Sequence, residues 1–146
     1  MRKLFISALL AAPVVAHALA DDPECNSKNV TKQCYASAAQ SELLLLGLAT
    51  SIELSKMELE QQTYGGMFHL IGAQRSAAIS RVEALYKALG KRSPKAAAPA
   101  RKFFIEWRAA MDGTTPNSSD TKRTLAMRQE KLSADVNKAA IDLTTD

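Results

Sequence analysis

Residues 36–62, ASAAQSELLLLGLATSIELSKMELEQQ, decide the fold. Ala38, Ser41, Leu45, Leu48, Ile52, Ser55 and Leu59 recur at alternating spacings of three and four, which keeps them on one side of an α-helix. Leu43, Leu46, Thr50, Leu54 and Met57 form a second stripe beside the first. One buried face does not cover both stripes. Either the helix packs against two neighbours, as in a four-helix bundle, or the second stripe docks a partner.

Outward from that helix, turn and cap signals divide the chain. Gly65-Gly66 predicts a stop and a hairpin. A second helix is expected over residues 67–89, with Phe68, Ile71, Arg75, Ala78, Val82, Leu85 and Leu89 as its stripe and Gly90 as its end. Arg75 interrupts the stripe. It either reaches solvent along its stem or turns inward to a glutamate of the central helix. Residues 91–95, KRSPK, form a basic linker, and Pro99 suits the first turn of a third helix. The apolar face of that helix is Ala100, Phe103, Phe104, Trp107 and Met111, and Asp112-Gly113 closes it. Ser119 or Asp120 can cap a fourth helix, with Leu125, Gln129, Leu132, Val136, Ala139 and Leu143 inward and residues 144–146 fraying. No strand-like alternation occurs. The expected class is all-α, a small four-helix bundle over residues 36–146.

The start of the chain reads as a leader. Arg2 and Lys3 precede an apolar run over residues 4–16, and Ala18-Leu19-Ala20 fits a cleavage site, so residues 1–20 are expected to be a signal peptide. That run is too short to span a bilayer, and no later one is long enough for a transmembrane segment. The expected location is a Gram-negative periplasm, or full secretion. In an oxidising compartment the only two cysteines, Cys25 and Cys34, read as a disulfide. It would close an N-terminal arm over residues 21–35. A redox pair would call for C-x-x-C spacing.

Little catalytic chemistry is legible. The chain carries a net charge of +4, and loss of Arg2 and Lys3 with the leader brings it closer to neutral, so nucleic acid is not an expected partner. With both cysteines in a bridge, His69 is left without a cluster of metal ligands, and no metal or cofactor is expected. A haem held by His69 and a distant methionine stays open as an alternative. Glu42, Glu53, Glu58, Glu60 and Glu83 could supply a carboxylate pair for peptidoglycan hydrolysis, but glutamates on amphipathic helices usually form a solvated face. A non-enzymatic protein is the expectation.

The one local charge imbalance is Lys91, Arg92, Lys95, Arg101, Lys102 and Arg108 against Glu106. It reads either as a solvated linker and helix face or as a surface for an acidic partner. Arginine and aromatic residues dominate binding hot spots when exposed. Arg101, Phe103, Trp107 and Arg108, with Lys91, Arg92 and Lys95 of the linker, are therefore the candidate partner-binding residues, which requires Trp107 to be at least partly accessible.

The segment ARKFFIEWRAA, residues 100–110, resembles a motif of the secreted LprI-like lysozyme-inhibitor family, Gln-Arg-x-aromatic-Ile-x-aromatic-Arg-Asp-Ala. Phe103 and Phe104 offer the first aromatic, and Ile105, Trp107, Arg108 and Ala110 fall in step. Lys102 stands where the arginine is expected and Ala109 where the aspartate is, and no cysteine follows. Paired cysteines after a leader are similar too. The resemblance implies binding and blocking of a cell-wall lytic enzyme. The partner expected is thus another envelope or secreted protein, such as a lytic enzyme or toxin, with this chain as inhibitor or immunity protein. A basic lysozyme is disfavoured as target by like charge. Self-association through the second stripe, as a structural or stress-related periplasmic protein, is the alternative.

Overall fold

The computed structural model describes residues 25–60, 65–117 and 119–145, and the side chains of residues 57–60, 65–70 and 122 are not among those described. The proposed leader and the first residues of the arm lie outside the described residues, as do the side chains of His69 and Met57. The described residues form four helices: α1 (Lys32–Glu60), α2 (Gly65–Arg92), α3 (Ala97–Gly113) and α4 (Lys122–Thr145). A single 3-10 turn, Pro94–Ala96, joins α2 to α3. The described residues contain no strand, and none of their helices is long and apolar enough to cross a membrane.

The connections are short, so successive helices run antiparallel. The start of α1, the end of α2, the start of α3 and the end of α4 share one end of the bundle. Cross-helix contacts fix this arrangement: Tyr35 meets Tyr86 and Phe103, and Lys102 meets Asp142. α1 and α3 lie across the diagonal and touch directly.

Local chemistry explains the element boundaries, several of which differ from those expected. α1 begins four residues earlier, because the Thr31 hydroxyl accepts the Cys34 backbone N–H at 3.1 Å and caps the helix. Buried Val30 and Tyr35 flank that cap in the positions of a hydrophobic staple. Cys34 therefore sits in the first turn of α1, and the bridge to Cys25, with Cα atoms 5.5 Å apart, clamps the arm to the helix start. Closing a loop of this size contributes about 2.5–3 kcal/mol by chain entropy. Gly65 and Gly66 fall in the first turn of α2, two residues before its expected start, and residues 61–64 of the hairpin turn lie outside the described residues. Gly90 does not end α2, which runs on to Arg92. Pro94 ends it by forcing Ser93 out of helical geometry, to φ −133° and ψ 84°. Pro99 falls in the first turn of α3.

α4 is capped neither by Ser119 nor by Asp120. The Thr121 and Thr124 hydroxyls each accept the other residue's backbone N–H, at 3.1 and 2.8 Å. Asp120 is occupied by Arg128, whose guanidinium grips both carboxylate oxygens at 2.7 and 2.6 Å. The same guanidinium donates to the Gly113 and Thr115 carbonyls at 2.9 and 3.2 Å. One side chain thus ties down the α3–α4 loop. A Cβ on Gly113 would meet the tip of the Leu132 side chain, which would have to turn aside. α4 is helical to Thr145, with the Thr144 and Thr145 hydroxyls bonded back to the Ala140 and Ile141 carbonyls.

The core joins Tyr35, Ala39 and Leu46 of α1, Ile71, Ala78, Val82 and Leu89 of α2, Phe103, Trp107 and Met111 of α3, and Val136 and Leu143 of α4. In α1 the second stripe faces inward: Leu46 and Thr50 are buried, and Leu43 and Leu54 pack against the core. That stripe is consequently not a surface for self-association. It is the first stripe that drifts outward, from half-buried Ala38 to Leu48, which is 52% exposed. Arg75 reaches Asp112 of α3 at 2.7 Å, not a glutamate of α1. The inward glutamate pair is instead Glu42 with Arg81, bidentate at 2.6 and 2.9 Å.

Tyr35 is fully buried, and its hydroxyl has no hydrogen-bond partner among the described residues. Burial, with Tyr86 nearby, pushes its phenol well above the ordinary tyrosine range. An unsatisfied buried hydroxyl costs free energy, so Tyr35→Phe should leave stability unchanged or raise it by about 1 kcal/mol in urea unfolding. A loss above about 1 kcal/mol would reveal a partner for the hydroxyl. Arg128, by its hydrogen bonds, and the Asn117 backbone N–H hold the Asp120 carboxyl below its ordinary pKa, and Lys102 does the same to Asp142. A lowered folded pKa gives stability that is present above the unfolded value of about 4 and lost as pH falls through the folded one. The melting temperature should therefore hold from neutral pH to about 5 and fall below about 4. Asp120→Asn should melt lower at neutral pH and converge on the wild type in acid.

Candidate functional site

The segment of residues 91–108 does not act as one surface, because helical periodicity divides it. Phe103 and Trp107 are both 0% exposed. They are core residues, which corrects their assignment to a partner-binding patch. Trp107 crosses to α1 and donates its indole N–H to the Ala39 carbonyl at 2.6 Å. Ala39 has only a methyl side chain, so the ring can reach the backbone. Phe104 stacks between Tyr86 and Trp107, with ring centroids 5.0 and 5.9 Å away. The aromatic residues thus form one inward cluster with Tyr35 and Phe103.

The cations turn outward. Lys91 and Arg92 are exposed in the last turn of α2, Lys95 in the 3-10 turn, and Arg101 on α3. None of these four has an ion pair among the described residues. Lys102, also exposed, is engaged by Asp142 of α4 at 2.8 Å. Arg108 stands apart from the group: it is half-buried, with Nε 3.7 Å from Asp112, and it adds to the hold that Lys87 chiefly exerts in keeping the Glu83 carboxyl below its ordinary pKa. The bundle topology adds two cations that the sequence block did not include. Lys28 of the arm and Lys32 at the start of α1 lie at the same end of the molecule. The expected disulfide and the four-helix order together held the signal for them, since both place the arm beside the α2–α3 connection.

Among the described side chains, the glutamates considered for hydrolysis do not converge. Glu42 is gripped by Arg81, Glu53 pairs with Lys56, and Glu83 pairs with Lys87. The side chains of Glu58 and Glu60 lie outside the described residues. No group of three metal-ligating side chains occurs among the described residues. A cavity of about 20 Å³ lies between α1 and α2 beside the Glu42–Arg81 pair. It has room for one water, far below the ~300 Å³ of a small-molecule site.

Comparison with protein-family models, with curated proteins and with solved structures finds no match to this chain.

The position of Trp107 is open to direct measurement. Its emission should be blue-shifted and resist iodide quenching until the protein unfolds. Trp107→Ala should cost about 3–5 kcal/mol in denaturant unfolding, as large-to-small core changes do. Emission at the wavelength of free indole, or a loss below about 1 kcal/mol, would place the ring at the surface.

Proposed function

We propose that the chain is an exported, non-enzymatic protein-binding module, an inhibitor or immunity protein acting on a cell-envelope lytic enzyme or toxin. It docks through the basic end of the bundle. The observation that carries this reading is the group Lys91, Arg92, Lys95 and Arg101, exposed together with no carboxylate partner among the described residues. Such a group attracts an acidic surface and speeds encounter with it. The target is therefore a protein with an acidic docking face or active-site cleft, which turns the choice away from basic lysozymes. The family resemblance implies a role of the same kind. Its aromatic positions serve the core in this chain, so the arginine and lysine residues on the outer side of the same helix and linker are what meet the target. The bridge at the arm fits an oxidising compartment, periplasmic or extracellular.

The test is capture from an envelope extract with the wild type and with a fourfold variant, Lys91→Glu, Arg92→Glu, Lys95→Glu and Arg101→Glu. The wild type should retain an acidic partner and lower the extract's peptidoglycan-lytic activity. The variant should do neither, and about 0.5 M salt should release the partner. If both proteins retain the same set, the basic end is not the docking surface. If the purified protein itself turns over peptidoglycan, the non-enzymatic reading is wrong.

A further inference from the structure

The outward face of α1 differs from the other described helix surfaces in carrying two exposed leucines one turn apart. Residues that face solvent on a bundle helix are ordinarily charged. α3 presents Arg101 and Lys102, and α4 presents Arg123, Glu130, Lys131 and Lys138, while α2 presents the small residues Ala73, Ala77, Ser80 and Ala84 before Lys87. On α1, residues 33–55 include only two charged side chains, and neither occupies the outward line: Glu42 is 7% exposed and bound to Arg81, and Glu53, largely buried, pairs with Lys56. The outward line is Ser37, Leu44, Leu48, Ser51 and Ser55. Leu44 and Leu48 are 63% and 52% exposed, one helical turn apart. Exposed Ile105, Met127 and Ile141 sit singly among charges on α3 and α4 and need no explanation.

This line also has an internal symmetry. Reversing α1 about Leu46 exchanges Leu44 with Leu48 and Ser37 with Ser55, and brings Ser51 onto Ser41, which is half-buried at the edge of the line. A second copy laid antiparallel on the face therefore meets leucine with leucine at the centre and serine with serine on either side. The serines let the two backbones approach, and the line itself carries no charged side chain. This is the self-complementarity that a two-fold interface requires. A membrane surface is a poorer occupant, because a helix that lies on lipid carries basic residues along its polar border.

We infer that two copies of this protein associate through the outer face of α1, antiparallel about a two-fold axis at the level of Leu46. The strip from Ser37 to Ser55 is about 27 Å long and about 10 Å wide. That is well below the ~800 Å² per partner of a standard interface, so the dimer is weak. It should be largely dissociated near 1 µM and populated above about 100 µM.

Sedimentation equilibrium of the oxidised protein across that range tests the inference. The mass should rise towards twice the monomer value, and Leu44→Glu or Leu48→Glu should hold the protein monomeric throughout, with unchanged helical content by circular dichroism. Register is read separately with cysteines added at exposed positions. The Ser37→Cys, Ser55→Cys double variant should crosslink between chains under mild oxidation, since its two sites are too far apart to bridge within one chain. Ser55→Cys alone should crosslink far less. Monomer at every concentration overturns the proposal. So does a dimer indifferent to both glutamate substitutions, or crosslinking as efficient for Ser55→Cys alone as for the pair.

Discussion

The bundle depends on one contact across its diagonal, the indole of Trp107 seated on the backbone of α1 at Ala39. A buried indole N–H must find an acceptor, and in a helical core most acceptors are already used. The Ala39 carbonyl has a second lone pair to offer, and the methyl side chain leaves it reachable. Satisfying that donor brings α1 and α3 together and fixes their relative height. Tyr35 and Phe103 then meet edge to face one turn away, with centroids 5.2 Å apart. α2 and α4 fill the two sides of the α1–α3 pair. The disulfide acts on the same place from outside, because it anchors the arm to the turn of α1 that carries Tyr35.

The helices were legible in the sequence because each carries a turn or cap signal at its ends. Their exact limits were less so, and the reasons are local. Gly65 and Gly66 look like breakers, yet at the start of a helix a glycine gives up little. Gly90 looks like a terminator, yet Pro94 three residues beyond its neighbour does the terminating through Ser93. α1 was harder still, since it is apolar or small on nearly all sides. Periodicity found two stripes and could not say which faces in. The answer lies in Glu42 and Arg81, paired 39 positions apart. A glutamate on a helix is ordinarily assigned to solvent, yet Glu42 is buried beside its guanidinium partner on α2, on the side of α1 that Leu46 and Thr50 also turn inward.

The candidate site was half legible for a related reason. Arginine and aromatic residues crowded into one short segment look like a single hot spot. With 3.6 residues per turn, however, neighbours in sequence point in different directions. Phe103 and Trp107, four apart, share the inward side, while Arg101 and Lys102 take the outward one. Charge composition located the basic surface, and amphipathicity removed its aromatic members. Lys28 and Lys32 joined it only through the fold, because they are distant in sequence and meet the block at the end of the bundle.

The two surfaces fit one another geometrically. The basic group occupies an end of the bundle, while the uncharged face runs along a side of α1, which is about 43 Å long. Two copies laid parallel would set their basic ends side by side, where like charges repel. Laid antiparallel, they hold those ends several Debye lengths apart at ordinary ionic strength, where the repulsion is screened away. The direction that lets Leu44 meet Leu48 is therefore also the direction that the charge distribution favours. It leaves both basic ends open, one at each extremity of the pair. The proposed self-association and the proposed partner binding would then use separate surfaces, and neither would have to be given up for the other.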